Sequence, residues 1–292
     1  MIKSKISKLL PLKFLQFLLA LKHFLNNFQL ILKLAELDRK IVKNVELDDF
    51  EFKGFKKFLD TIPELNKIYV DIGAADGVNS SCTLNLVKDF NWNGVCFEYG
   101  SLTKLSYAYR KFDKVNMCQV KVTPKNISSL LKSYDIEKNF GFLNLDIDSY
   151  DLPVMEQILR SDYKPYIISM EVNEKIPPPI EFFVYYDDNF TPTGNHFYGC
   201  SISSANNLLN QHGYFLNHLQ GNNALFLNKD FYLPSQKSVE EIYYEGYLNL
   251  TNRKKIFWYN KDMEILEKLT KNDAIDFINS KFKDYQGQYF LK

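Results

Sequence analysis

Between residue 66 and about residue 230, short apolar runs alternate with segments of helical periodicity, and this alternation constrains the fold more than any other feature. The runs have the length of buried strands, and the segments between them are long enough for helices. Strands joined through helices form right-handed crossovers, so the pattern predicts a parallel sheet with helices on both faces. The five predicted strands are contained in KIYVDIG (67–73), GVCFE (94–98), NMCQVKV (116–122), FGFLNLDID (140–148) and YIISMEV (166–172).

The rhythm breaks after the fifth strand. A long insert of prolines, aromatic residues and acids (173–199) precedes a predicted helix and two apolar runs, YFLNHL and NALFLN, which are typical of a β-hairpin. We therefore predict an α/β fold: a Rossmann-like, doubly wound sheet of five parallel strands plus a terminal antiparallel hairpin, with helical extensions at both ends. The predicted domains are a basic amphipathic helical extension (1–40), the sheet domain (41–235) and a helical C-terminal appendage (236–292).

Composition excludes several function classes. The chain has 292 residues, 46% of them hydrophobic, which predicts a globular protein with an ample core. A net charge of +1 gives no overall attraction to nucleic acid, so no nucleic-acid partner is expected. The four cysteines are too far apart in sequence for a zinc knuckle or a CxxC pair. Scattered single cysteines are typical of a reducing compartment, and we expect a cytoplasmic location.

The first 35 residues contain six lysines and no acidic residue, and their apolar side chains recur at helical spacing on one face. The longest uncharged run, residues 14–21, is far shorter than the ~20 residues of a membrane-spanning helix. Two interpretations follow. The helix binds an anionic membrane surface peripherally, or it docks on the protein's own body or on a second subunit of a homo-oligomer.

A glycine loop follows the first predicted strand in YVDIGAADG (69–77). In an open α/β sheet, ligands bind beyond the carboxyl ends of the strands, so this loop should border the binding crevice. Asp71 and Asp76 would repel a dianionic pyrophosphate, but they suit a cofactor with a sulfonium and an ammonium group, such as S-adenosyl-L-methionine. Glu98 ends the second strand, where an acid commonly accepts the ribose hydroxyls of an adenosine cofactor. The missing third glycine argues against an NAD-dependent enzyme.

These residues, with LDID (145–148) and the final hairpin, resemble the class I S-adenosylmethionine-dependent methyltransferases over roughly residues 66–230. Within that class the chain is similar to the FkbM-type group, many of whose members O-methylate sugars or other small hydroxylated acceptors. The resemblance implies that Glu98 holds the ribose and that Asp146 lies near the transferred methyl group. The predicted cofactor-binding residues are Asp71, Gly73, Ala74, Asp76, Gly77, Glu98 and Asp146.

The chain departs from the FkbM-type pattern in three places. Ala75 stands where the group usually has Asn, and Tyr99 stands where it usually has Pro. The fourth strand usually reads K-I-D-V-E-G-A-E, against Asn144 to Asp151 here, so the acidic positions carry shorter side chains and the small residues are missing. These departures affect the predicted cofactor binding little, but with them the resemblance does not name the acceptor.

Four oxygen-bearing side chains are predicted to converge at the ends of strands four and five: Asp146, Asp148, Glu171 and Asn173. Such a set suits a hard cation such as Mg²⁺, which would activate a hydroxyl, and its placement is similar to that of the metal ligands of catechol O-methyltransferase. In the alternative interpretation, these acids bind acceptor hydroxyls or cap the following helices.

His196 lies in the irregular insert that should cover the crevice, and it is the candidate general base. Asp146 and Asp148 complete the predicted catalytic set. The sequence thus predicts a methyltransferase acting on a hydroxyl of a sugar, a glycan or another small acceptor. The alternative is a non-catalytic, adenosyl-cofactor-binding or scaffolding protein with the same fold.

Overall fold

The computed structural model describes residues 12–42, 50–79, 81–191, 194–234 and 236–292. They fall into two compact units that divide between residues 48 and 49. The first contains one long helix, α1 (Leu12–Val42), which is helical as its spacing predicts. Residues 1–11 of the predicted basic extension, which include three of the six lysines between residues 1 and 35, lie outside the described residues. Within the described ranges, no helix combines the length and the apolar character needed to cross a membrane.

The second unit contains the other helices and all of the strands. The strands are β1 (Ile68–Ile72), β2 (Asn93–Glu98), β3 (Val115–Gln119), β4 (Phe142–Leu145), β5 (Ile167–Glu171), β6 (Phe182–Val184), β7 (Tyr214–Gln220), β8 (Asn223–Asn228) and β9 (Tyr289–Leu291). The α-helices are α2 (Phe50–Phe55), α3 (Leu84–Lys88), α4 (Thr103–Tyr109), α5 (Ile127–Ser133), α6 (Asp151–Arg160), α7 (Ile202–Gln211), α8 (Val239–Tyr243), α9 (Arg253–Ile256) and α10 (Lys271–Lys281). A π-helical turn (Tyr244–Leu248) continues α8.

The predicted fold class is confirmed. Seven strands form one sheet in the order β3-β2-β1-β4-β5-β8-β7. The first five are parallel, and the hairpin of β7 and β8 adds to β5 in antiparallel orientation. Strands β2 and β3 follow on one side of β1, whereas β4 and β5 follow on the other side, so the strand order reverses between β1 and β4. In open α/β sheets, the carboxyl ends of the strands form a binding crevice at such a switch point.

The central strands are almost wholly buried because helices cover both faces of the sheet. Every residue of β4 and β5 is buried, and only Ile68 of β1 is partly exposed. Parallel strands of this kind read as continuous apolar runs, which is why the sequence located them correctly. Polar residues inside these strands, such as Asp71 and Asn144, therefore need partners within the core.

A second sheet was not predicted. It pairs β6 from the insert with β9 from the end of the chain in antiparallel orientation. Aromatic residues pack around this pair in a second core, with Phe182, Phe197 and Phe282 each no more than 2% exposed. The described part of 236–292 lies in the same compact unit as the main sheet. The predicted domain boundary at residue 235 stays a prediction.

Candidate functional site

Gly73 follows β1 in a conformation that excludes other residues. Its φ is +90°, and a Cβ at this position would lie 1.6 Å from the carbonyl oxygen of Asp146. Its N–H donates to the Phe97 carbonyl at 2.9 Å. The loop is thus pressed between the carboxyl ends of β2 and β4, and only a glycine fits there.

Gly77 has a different packing role. Its φ is +72°, and a Cβ would lie 2.4 Å from the Tyr109 ring and 2.7 Å from a methyl group of Leu105. The Gly77 N–H closes the loop by donating to the carbonyl of Ala74, which is itself buried. Gly77 therefore allows α4 to pack against the loop.

Glu98 joins the end of β2 to the glycine loop. One carboxylate oxygen accepts from the Ala75 N–H at 2.8 Å, and the other accepts from the Gly100 N–H at 2.5 Å. A carboxylate has about four acceptor positions, so both oxygens keep capacity for further donors. The structure places Glu98 where two ligand hydroxyls could reach it.

A cavity of about 690 Å³ lies over the carboxyl ends of β1, β2 and β4, and we call it the first cavity. Among the described residues that line it, four carry a carboxylate and one carries a positive charge. That cation, Lys121, donates to the carbonyls of Asp188 at 2.8 Å and Phe190 at 3.3 Å. The lining includes Gly73, Ala75, Glu98, Tyr99, Asp146 and Asp148.

Four of the seven predicted cofactor-binding residues are not among the residues that line this cavity: Asp71, Ala74, Asp76 and Gly77. Asp71 is buried and accepts from the Thr83 hydroxyl at 2.6 Å and from the Asn144 amide at 2.9 Å. Burial raises its pKa, although these two hydrogen bonds act in the opposite direction. Asp76 accepts from the backbone of Asn79 and Val78, and these bonds outweigh partial burial and lower its pKa. Both side chains brace the loop from within.

Three of the four predicted metal ligands come together. One oxygen each from Asp146, Asp148 and Glu171 lie within 4.8 Å of one another. Asp148 reaches this position through a left-handed backbone, with φ of +51°. Glu171 accepts from the Asn222 amide at 2.8 Å, while its Oε2 is buried without a hydrogen-bond partner in the described structure. Burial, followed by repulsion from Asp146 and Asp148, raises the pKa of Glu171 well above its usual range.

The fourth predicted ligand, Asn173, is fully buried and holds the insert in place. Its amide nitrogen donates to the carbonyls of His196 and Tyr198 at 2.9 and 3.0 Å. Its Oδ1 is buried without a hydrogen-bond partner among the described residues.

Sequence reasoning missed Asp151, which organises the turn between β4 and α6. Its two oxygens accept from the N–H groups of Ile147 and Ser149 at 2.9 and 3.1 Å. Burial raises the pKa of Asp151 to about 7. Repulsion from Asp148 adds to this increase, and the two hydrogen bonds oppose it. The sequence signal was an acid at the first position of a helix, which is typical of helix starts.

A second cavity of about 370 Å³ adjoins the first. Asp148 lines both cavities, so the carboxylate cluster forms their common wall. His196, Tyr198 and Tyr259 also line the second cavity. The predicted base, His196, therefore lines a cavity that shares Asp148 with the first cavity. The described structure gives no direct contact between His196 and Asp146, Asp148 or Glu171.

His196 has a partner that the sequence did not reveal. Its Nε2 lies 2.9 Å from Asp262 Oδ1, and the other oxygen of Asp262 binds Lys281 at 2.5 Å. Burial lowers the pKa of His196, with Asp262 acting in the opposite direction. An imidazole held through Nε2 by a carboxylate keeps Nδ1 for other contacts. The sequence carries no spacing signal for this pair, because 66 residues separate the two partners.

A buried ion pair borders the second cavity, because Lys175 is one of its lining residues. Lys175 and Glu174 are both almost fully buried and lie 3.3 Å apart. The Lys175 ammonium also donates to the Tyr198 hydroxyl at 2.6 Å, and Asn260 donates to Glu174 at 2.6 Å. These contacts tie the end of β5 to the insert and to the C-terminal segment.

Comparisons with known proteins give low similarity. No protein-family model matches the chain, and no curated protein matches its sequence. Among solved structures, it is similar to the CurJ carbon methyltransferase, with 9% identity and a TM-score of 0.40, over 61% of this chain and 52% of that one. It is also similar to DesVI of Streptomyces venezuelae, with 10% identity and a TM-score of 0.37, over 64% of this chain and 92% of that one.

A third similar structure is the O-methyltransferase NcsB1 from neocarzinostatin biosynthesis, with 15% identity and a TM-score of 0.31, over 66% of this chain and 60% of that one. The chain spans about half the length of the CurJ structure and of the citrinin polyketide synthase CMeT domain.

Proposed function

We propose that the unit formed by residues 49–292 is an S-adenosylmethionine-dependent methyltransferase that acts on a hydroxyl of a sugar, a glycan or another small acceptor. The observation that carries this proposal is the position of Glu98, at the end of β2 and hydrogen-bonded to the glycine loop in an acid-lined cavity. The FkbM-type resemblance supports the acceptor class and nothing finer.

The first cavity fits this cofactor better than a dinucleotide. Glu98 has acceptor capacity for two ribose hydroxyls, and Tyr99 offers a ring beside it. The acidic lining attracts a cationic cofactor and repels a pyrophosphate, and Lys121 is already bound to two carbonyls. Gly73 lines the cavity, so the loop backbone is within reach of a ligand there. When bound, the cofactor supplies an electrophilic methyl group.

The second cavity is the proposed acceptor site, because it meets the first at Asp148. His196 would take the proton from the acceptor hydroxyl, and Asp262 would hold its ring. Asp146 and Asp148 would orient the hydroxyl from the opposite side by accepting hydrogen bonds. Alignment of the nucleophile with the methyl group would then carry much of the catalysis.

We further propose that Asp146, Asp148 and Glu171 hold a divalent cation such as Mg²⁺. Three carboxylates in mutual reach, with one buried oxygen that lacks a donor, fit the donor set of a hard cation. A bound cation would lower the pKa of an acceptor hydroxyl. Under the alternative, the same oxygens accept hydrogen bonds from acceptor hydroxyls.

Calorimetry with S-adenosylhomocysteine tests the cofactor proposal. The wild type should bind, and Glu98→Ala should bind at least about tenfold more weakly, because it loses charge-assisted hydrogen bonds to the ribose. Glu156→Ala, at an exposed acid on α6, is the control and should bind like the wild type. Absence of binding by the wild type would refute the proposal. Binding without methyl transfer to any glycan, lipid or small-molecule acceptor would favour the non-catalytic alternative.

Removal of divalent cations tests the metal proposal. Turnover should fall in EDTA and return with Mg²⁺, while S-adenosylhomocysteine affinity should change little. Turnover that is insensitive to EDTA would leave the three acids as acceptor-binding groups.

A further inference from the structure

Helix α1 carries a band of exposed apolar side chains that the proposed methyl transfer does not use. Each of these side chains is between 41% and 64% exposed, and together we call them the exposed band: Leu21, Phe24, Leu25, Phe28, Ile31 and Leu32. Large apolar residues are usually exposed singly, and a contiguous exposed group marks an interaction surface.

The band lies on one face of the helix. Each member has another member three, four or seven positions away, and such residues are neighbours on a helix that turns about 100° per residue. The rings of Phe24 and Phe28 stack with centroids 6.3 Å apart, so these two members are in contact on the helix surface. The uncharged polar residues Asn26, Asn27 and Gln29 project from other parts of the helix surface and are also exposed.

The charge around the band is positive. Lys22 and Lys33 are exposed on α1, and four more lysines lie between residues 3 and 13 of the sequence. The first acidic residue of the chain is Glu36. Exposed lysines on a helix with an exposed apolar face complement anionic lipid headgroups, and each lysine adds attraction to them.

We propose that the exposed band inserts into the interface of an anionic membrane, with α1 lying parallel to the surface and its lysines contacting lipid headgroups. A second copy of the chain fits less well. Pairing two copies through this band would bring together two segments that each carry exposed lysines and no acid before Glu36, and like charges repel.

Vesicle co-sedimentation of the full-length protein tests the proposal. The wild type should pellet with vesicles of phosphatidylcholine that contain about 30% phosphatidylserine as the anionic lipid. The triple variant Phe24→Gln, Phe28→Gln and Ile31→Gln should partition roughly 100-fold less, because membrane affinity follows the buried apolar area. Glutamine is a good helix former, so the substitutions should preserve α1, and circular dichroism checks this.

Two further variants separate apolar from charge effects. The matched control Asn26→Gln, Asn27→Gln and Gln29→Asn changes three exposed polar side chains on the same helix and should pellet like the wild type. Lys22→Gln with Lys33→Gln should weaken binding to the anionic vesicles roughly 20-fold and should change little on pure phosphatidylcholine.

Equal pelleting of the wild type and the apolar triple variant would overturn the proposal. So would a wild type that ignores vesicles but forms a dimer in analytical ultracentrifugation that the triple variant loses, because this result would assign the band to a second copy. The assay needs neither cofactor nor acceptor, so its result is independent of the methyltransferase proposal.

Discussion

Single residues at the carboxyl ends of β1 and β4 set the shape of the first cavity. Gly73 touches the backbone of Asp146, and Asp148 adopts a left-handed conformation two residues later. Aspartate tolerates this conformation better than most residues do, although at some cost, and such positions concentrate at functional sites. Geometry at two backbone positions thus brings the glycine loop and the carboxylate cluster together.

Gly73→Ala should destabilise the protein by about 3 kcal/mol or more, because it adds a clash with a backbone carbonyl to the cost of a positive φ. Gly213→Ala is the matched control. Gly213 has a similar φ of +87° but no atom within 4 Å of an added Cβ, so only the conformational cost, about 1 kcal/mol, should appear. Urea unfolding of both variants measures the difference, and equal losses would contradict the close approach at Gly73.

Asp151 should make stability depend on pH. Its pKa is raised to about 7 in the folded protein, so the folded state holds a proton that the unfolded state releases at about pH 4. Stability should therefore fall as the pH rises from about 4 to about 7, by up to about 1.4 kcal/mol per pH unit. Asp151→Asn should flatten this slope in urea unfolding measured in EDTA.

Two further unfolding measurements test the raised pKa values of Asp151 and Glu171. Asp151→Asn should also lower stability at pH 4.5, because one amide oxygen replaces two carboxyl oxygens that accept from separate N–H groups. Glu171→Gln should flatten the slope too, since burial raises the Glu171 pKa. Wild-type stability that rises between pH 4 and pH 7 would contradict the raised pKa values.

At the scale of elements, α10 and the segment before it hold the insert. Asp262 contacts His196, and Lys281 of α10 contacts Asp262. The predicted base is thus positioned by elements that follow it by more than 60 residues in sequence.

Asp262→Asn should lower the pKa of His196 further below its usual value, because the carboxylate is a contact that raises it. Lys281→Met should shift the pKa in the opposite direction, since the Lys281 charge lowers it. NMR titration of the His196 imidazole resonances measures both shifts without any substrate. An increased pKa in Asp262→Asn would contradict this assignment.

Lys175→Met should cost about 3 to 5 kcal/mol, because it leaves the Glu174 carboxylate buried without its cation. The double variant Glu174→Gln with Lys175→Met removes both charges and should recover a substantial part of this loss. Chemical denaturation of the wild type, Lys175→Met, Glu174→Gln and the double variant measures the coupling. A double variant as unstable as the sum of both single variants would show that the pair does not interact.

The sequence predicted the main sheet because parallel strands buried on both faces leave an uninterrupted apolar run, as in IISME of β5. It missed β6 and β9, since three-residue strands have no period to detect and their partners lie more than 100 residues apart. It predicted the convergence of Asp146, Asp148 and Glu171 from strand adjacency. It did not place Asp71 inside the core, because sequence spacing does not report which side of a loop a carboxylate faces.

For the whole molecule, the two cavities draw on different parts of the chain. The first is lined by residues between 73 and 191, and the second by residues between 148 and 259. Phe197 of the second cavity also belongs to the aromatic core that the C-terminal segment completes. Cofactor binding and acceptor binding should therefore respond differently to changes in that core.

Phe282→Ala should separate the two properties. Phe282 is buried beside Phe197, with ring centroids 5.3 Å apart, and its truncation should cost about 3 to 5 kcal/mol. Phe140→Ala removes an equally buried ring from the main core and should cost about as much. At temperatures well below both unfolding transitions, the two variants should keep wild-type affinity for S-adenosylhomocysteine, and only Phe282→Ala should raise the KM for the acceptor. If both variants raise this KM equally, global stability rather than the aromatic core governs the acceptor site.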